Sequence, residues 1–266
     1  MPKLHKYDLY ERSVQSPDVH IPMFVAMYRE TFGKYARHLR EDFCGTFSDA
    51  VEWVNRNKKN TALCIDLDPA PLAYGKKHHL KRLTREQQSR IDVRRGNAVS
   101  VTSPKSDIVI ACNFSFFIFK QRAQLIEYLT CVRRSLTKDG MLILETLGGP
   151  GAIETSRERR PIFEKGKRLF TYFWDQRSFN PITHEARYSI HFNLANGREL
   201  RHVFQYDWRL WSIPELRDCL LEAGFDDVGV WWETEHEGEG TGEYVRTENG
   251  DNAYSWIAYV CGIKKR

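Results

Sequence analysis

A chain of 266 residues that is 41% hydrophobic can bury the core of one large domain with an insertion or of two small ones, and one enlarged domain is the simpler reading. The balance of 40 basic against 35 acidic residues, a net charge of +5, falls short of what a dedicated nucleic-acid binder carries. No stretch approaches the roughly 20 apolar residues that cross a bilayer; the opening MPKLHKYDLYERSVQ lacks the apolar core of a secretory signal, so a cytoplasmic location is expected.

In chain order, Phe24, Val25, Tyr28 and Phe32 recur at helical spacing before Gly33 and predict a helix from near Pro22. Short apolar runs then alternate with amphipathic stretches, the pattern of a parallel sheet flanked by helices. Strands are expected at 36–41, 62–66, 91–95, 107–112 and 141–146, and helices at 48–57, 69–81 and 121–135. After Gly148, Gly149, Pro150 and Gly151 the runs 169–174, 187–194 and 199–206 turn aromatic and β-branched. Asn196-Gly197 is a preferred hairpin centre, so an antiparallel β insertion over about 152–210 follows the fifth strand. Ser212 to Glu215 has capping-box spacing and opens a last helix, before strands at 228–232 and 254–262. The expected fold class is α/β, a doubly wound seven-stranded sheet with the insertion. Between the last two strands, 233–251 carries seven acidic residues, one basic residue and four glycines, and reads as a mobile, exposed loop.

Cysteines at 44, 64, 112, 131, 219 and 261 lack metal-knuckle spacing and read as small buried hydrophobes, and no metal site is expected. His191 and His202 flank the Asn-Gly turn as cross-strand neighbours, a pair that reads as structural. The densest basic stretch, Lys76 to Arg95, reads as a solvated face.

A doubly wound sheet binds its ligand beyond the carboxyl ends of its strands, and here the first strand-to-helix turn is Glu41-Asp42-Phe43-Cys44-Gly45-Thr46. Only Gly45 of a possible three glycines is present, because Phe43 and Phe47 occupy the flanking positions. A dinucleotide pyrophosphate needs a more open G-x-G-x-x-G backbone, so an NAD-dependent oxidoreductase is disfavoured. The next strand ends in Asp66, which can accept from both hydroxyls of a ribose, while Asp68 is placed to cap the following helix.

In these motifs the chain resembles the class I S-adenosylmethionine-dependent methyltransferases, whose first motif reads as an acidic residue followed by hydrophobic-Gly-Cys-Gly-Thr-Gly. The resemblance covers roughly residues 36 to 147 and implies a Rossmann-like fold in which an antiparallel strand ends the sheet, with S-adenosylmethionine as cofactor. It implies cofactor contacts from Glu41, Phe43, Cys44, Gly45 and Thr46, from Asp66 at the ribose, from Leu67 at the adenine, and from Asn97 and Ala98 in a stretch like the family's Gly-Asp-Ala. Asn113 and Ser115 end the fourth strand beside the transferring methyl and are candidates to orient substrate, Asn113 also touching cofactor. Tyr7 to Tyr10 resembles the aromatic lids of small-molecule methyltransferases, which makes Tyr10 a third catalytic candidate and residues 1–35 a helical lid on a methyltransferase domain of 36–266.

The expected activity is therefore methyl transfer by in-line displacement to a small-molecule acceptor, a reaction driven by alignment more than by a strong base. Two alternatives differ in class. One is an RNA or protein methyltransferase that docks through 76–95; the other is a degenerate fold that binds cofactor or a partner without transfer. An open cleft containing both Glu41 and Asp66 separates the enzyme readings from the last.

Overall fold

The computed structural model describes residues 4–237 and 239–265. Two helices, α1 (Lys6–Val14) and α2 (Pro17–Phe32), precede the sheet. The second starts at Pro17 and not near Pro22, because Pro17 sits in the first turn, where a missing N–H costs nothing. Pro22 is carried inside the helix and leaves the Asp18 carbonyl without its helical donor; the Arg56 guanidinium supplies one at 3.1 Å. Gly33, at φ +67°, ends the helix.

The doubly wound unit runs β1 (His38–Asp42), α3 (Ser48–Arg56), β2 (Thr61–Asp66), α4 (Pro69–His78), the short α5 (Arg85–Gln88), β3 (Ile91–Arg95), β4 (Ser106–Ala111), α6 (Arg122–Ser135) and β5 (Leu136–Gly148). An antiparallel meander of β6 (Ser156–Glu164), β7 (Lys167–Phe179), β8 (Glu185–Leu194) and β9 (Glu199–Arg209) forms a separate four-stranded sheet. Then come α7 (Ile213–Glu222), β10 (Asp227–His236), β11 (Glu239–Arg246) and β12 (Trp256–Lys264). The main sheet has the order β11-β10-β12-β5-β4-β1-β2-β3. Strands β3-β2-β1-β4-β5 are parallel, and β12 is antiparallel to both β5 and β10. Chain order reverses between β1 and β4, which puts the topological crevice at their carboxyl ends.

The sheet has eight strands where seven were expected. The extra one, β11, comes from the acidic stretch read as a mobile loop: it pairs antiparallel with β10, which would otherwise expose a row of unpaired backbone groups. Gly242, at φ +77°, sits within β11 where the pairing register shifts opposite Glu233 to Glu235, and its N–H donates to Glu233 at 2.8 Å. In the meander, β6 was also unexpected. Its Ser156-Arg-Glu-Arg-Arg-Pro161 run has no apolar alternation, yet an edge strand tolerates both the charges and the proline.

Apolar residues of β1, β2, β4 and β5 point alternately to the two faces of the main sheet, where helices cover them. The meander turns its inner face, with Phe170, Ile190 and Phe192, onto Leu9 of α1. All six cysteines are buried and unpaired. Among the described residues no helix is long and apolar enough to cross a membrane.

Candidate active site

The turn after β1 keeps the backbone of a glycine-rich turn with one glycine. Phe43, Gly45 and Phe47 lie at φ +54°, +53° and +52°. The Phe43 ring packs on Tyr128 at 5.5 Å, and Phe47 is fully buried. Space for Phe47 comes from Gly75 of α4, where a Cβ would stand 2.4 Å from the phenyl ring and 2.5 Å from the Thr46 carbonyl oxygen.

Asp66, at the end of β2, accepts from the Gly45 N–H through Oδ2 and from the Asp68 N–H through Oδ1, both at 2.8 Å, and so ties the first turn to the second strand. Asp68 caps α4 by accepting from the Ala70 N–H at 2.8 Å. Glu41 accepts from the Ala50 N–H at 2.9 Å, in the first turn of α3.

These groups border one cavity of about 280 Å³. Of the residues singled out from sequence it brings together Tyr10, Glu41, Phe43, Cys44, Gly45, Thr46, Asp66, Asn113 and Ser115. Leu67, Asn97 and Ala98 lie outside this lining. Leu67 is exposed past the strand end, the Asn97 carboxamide is spent on the Val99 N–H at 3.1 Å, and Ala98 is buried in the core. The Ala98 and Val101 carbonyls accept from Arg40, which is fully buried and paired to Asp42 at 2.7 Å; Tyr128 donates to the same carboxylate at 3.0 Å. This network fixes the loop after β3 and was not read from sequence, although two charges inside a central strand were its signal.

The cavity is acidic. Glu41, Asp42, Asp49, Asp66 and Asp68 line it, and among the described residues Lys6 is the sole Lys or Arg in the lining. Burial, with Asp49 next, pushes Glu41 well above the usual carboxylate range; burial, then the Glu145 and Glu52 charges, push Asp49 up to about 7. His20 lies 3.9 Å from Asp49, beyond hydrogen-bond reach, and burial lowers its own pKa, which keeps it neutral. Asp49 Oδ1 and Thr46 Oγ1 are buried without a hydrogen-bond partner. Unpaired buried oxygens in an acidic cavity suit a ligand with N–H donors, and a cationic one would draw the raised carboxyl groups back to their charged forms.

A second cavity, of about 380 Å³, adjoins the first and shares Tyr10, Asn113 and Tyr206 with it. It is walled by aromatic rings, among them Phe114, Tyr172, Trp174, Trp208 and Trp256, with Glu158, Glu233 and Gln176 as polar groups. Tyr10 comes from α1, Tyr206 from β9 and Asn113 from the end of β4, so the junction exists only when the N-terminal helix, the meander and the main sheet meet. Burial pushes Tyr10 up to about 12. Asn113, at φ +52°, donates its N–H to Glu145 of β5, a buried carboxylate that desolvation raises to about 7. Glu145 too went unread, its signal being a lone acid in an apolar strand.

Four contacts clamp α1 over this junction. Tyr74 donates to Asp8 at 2.6 Å, His79 meets Glu11 at 2.7 Å, Arg12 pairs with Glu164 at 2.8 Å, and Arg160 donates to the Ser13 carbonyl. Ser115 Oγ donates to the Cys112 carbonyl at 2.7 Å, which commits it to its own turn. His191 and His202 are neighbours, with ring centroids 4.6 Å apart, and His191 has a carboxylate partner in Asp175 at 3.2 Å; neither lines the two cavities.

No protein-family model and no curated protein matches the sequence. Solved structures do match along nearly the whole chain. An amino pentose methyltransferase of calicheamicin biosynthesis from Micromonospora echinaspora, solved with S-adenosylmethionine bound, superposes with a TM-score of 0.70 at 15% identity, covering 100% of this chain and 99% of that one. An S-adenosylmethionine-dependent methyltransferase from Clostridium acetobutylicum gives 0.68 at 11% identity over 97% of each chain. The fold is that of the class I methyltransferases. A sugar N-methyltransferase from Streptoalloteichus extends the same likeness, with a TM-score of 0.67 at 17% identity over 100% of this chain and 96% of that one. In this methyltransferase fold the glycine turn, Asp66 and Asn113 all stand at the carboxyl ends of the parallel strands.

Proposed function

We propose that this chain is an S-adenosylmethionine-dependent methyltransferase acting on a small-molecule acceptor, with an amine as the accepting group. The observation that carries this reading is the meeting of an acidic cavity and an aromatic cavity at Tyr10, Asn113 and Tyr206. The acidic cavity suits the cofactor: Asp66, with a lone pair left on each oxygen, can accept from ribose hydroxyls, and Glu41, Asp49 and the unpaired Asp49 and Thr46 oxygens suit a cationic amino-acid tail. Cofactor, when bound, supplies a methyl group on a sulfonium that is displaced in line.

The chain's own residues bind and align. Aromatic faces in the second cavity attract a cationic group, and Glu158 and Glu233 can hold an ammonium and accept the proton it must shed before its nitrogen takes the methyl and the carbon–sulfur bond breaks. Tyr10 keeps its proton at neutral pH, so it orients through hydrogen bonds and does not act as a base. Helix α1 serves as a lid, in keeping with residues 1–35 as a covering segment and 36–266 as the catalytic domain. Unpaired buried cysteines fit a reducing compartment, and the cytoplasm is the proposed setting.

The test is transfer itself. Incubation with S-adenosylmethionine and a panel of small amines, alcohols and RNA, read by mass spectrometry, is expected to give methylated amines with matching S-adenosylhomocysteine. Methylation of RNA or alcohols alone would overturn the acceptor assignment.

A further inference from the structure

A third cavity, of about 590 Å³, lies beside the aromatic one and shares Leu147, Gly148, Ala152 and Trp256 with it. Gly148 lets the Trp256 indole lie against the strand, since a Cβ there would stand 2.2 Å from the ring. Trp232 meets Trp256 at 4.9 Å between centroids, so the indole divides the two spaces and is itself held by packing alone. Beyond it the walls are apolar, with Ile153, Phe179, Trp211 and Ile213, and among the described residues His184 is the one titratable group in the lining. Among the described residues neither cavity has a lysine or arginine in its lining, while the aromatic one holds two carboxylates. At the rims Ile153 is 48% and Ile257 37% exposed, and Ile182, beside the lining residue Pro181, is 91% exposed. Large apolar side chains left in water around an apolar hollow mark a site for an apolar ligand.

We propose that the third cavity is the distal half of the acceptor site, and that the acceptor is an amphiphilic amine without phosphate or carboxylate. Its amine lies in the aromatic cavity near Glu158 and Glu233, and an uncharged ring or alkyl body passes Trp256 into the distal space. An anionic acceptor has no cation to meet in either cavity and would be desolvated beside two carboxylates. The inference rests on the methyl-transfer reading for which end reacts; the binding preference follows from the cavities themselves.

The test is calorimetry on the full chain, saturated with S-adenosylhomocysteine, against benzylamine, 4-phenylbutylamine, 4-(biphenyl-4-yl)butylamine and the carboxylic acids of matching length. The amines are expected to tighten about threefold to fourfold per added methylene, as burial of each group predicts, and the biphenyl compound to gain at least tenfold more. The acids are expected to bind at least tenfold more weakly than their amines. In Ile213→Trp, which fills the distal space, the biphenyl compound loses its advantage over the phenyl one. Equal binding of acids and amines, affinity independent of length, or an advantage that survives in a folded Ile213→Trp would overturn the proposal. If that variant melts early, the wild-type series alone decides. A separate titration with S-adenosylhomocysteine distinguishes the two readings: a chain that binds the long amines but no S-adenosylhomocysteine keeps this acceptor site and loses the cofactor, and the reverse loses the acceptor site.

Discussion

Left-handed backbone at Phe43 and Phe47 costs on the order of 1 to 2 kcal/mol per residue, and the full burial of Phe47 and the packing of half-buried Phe43 on Tyr128 offset it. The arrangement depends on Gly75, so Gly75→Ala is expected to destabilise the protein by roughly 1 to 3 kcal/mol, read from denaturant unfolding. From the sequence, the missing glycines were visible but their consequence was not, because nothing local says that a helix 30 residues on has made room. Carboxylates were legible in the same uneven way. Glu41 and Asp66 end expected strands, whereas Asp49 and Glu145 become notable only when the fold buries them together. Both have folded pKa values of about 7, above the usual carboxylate range. A buried acid of this kind keeps its proton while the unfolded chain has lost it, so stability falls as pH rises from about 4 to about 7, and the whole penalty is in place above that. Asp49→Asn is expected to shrink the loss of stability between about pH 5 and pH 7.5 by roughly 1 to 3 kcal/mol in thermal or chemical unfolding. An unchanged pH slope would remove Asp49 from the buried acidic set.

At the scale of elements, the parallel strands were legible because buried strands are short apolar runs between helices. Helix α1 and strands β6 and β11 were harder to read. Helix α1 is half polar and wins its place through contacts with distant parts, Tyr74 and His79 on one side and Arg160 and Glu164 on the other. Strand β6 lacks alternation, and β11 exists because β10 offers it an edge. As α1 carries Tyr10 to the junction, its clamps matter to ligand retention. The pair Tyr74→Phe and Glu11→Gln removes two charge-assisted contacts, each worth about 1 kcal/mol when partly exposed. Cofactor release measured by stopped flow is expected to accelerate about tenfold, with global stability changed far less. Release at the wild-type rate would show that α1 does not close the site.

Over the whole molecule, a net positive chain encloses a negative site, so composition was a poor guide to the pocket. Three residues at the end of the basic stretch are engaged within the chain: Arg90 bonds Glu86 and three backbone carbonyls, Arg94 pairs with Asp92, and Arg95 donates to the Leu67 carbonyl. Glu41 and Asp66 line one open cavity, the condition set from sequence for an enzyme and not a degenerate fold. The junction of two cavities at Tyr10, Asn113 and Tyr206 could not be read beforehand, because it joins residues about 100 positions apart on three elements.

The most direct test is titration calorimetry of the purified chain with S-adenosylmethionine, S-adenosylhomocysteine and NAD, with Asp66→Ala as the paired variant. Saturable binding of the first two and none of NAD is predicted, weakened by roughly 1.5 to 3 kcal/mol in Asp66→Ala, the scale for losing charge-assisted hydrogen bonds. Absence of binding by S-adenosylmethionine and S-adenosylhomocysteine, or equal affinity in a folded Asp66→Ala, would contradict the assignment of this cavity.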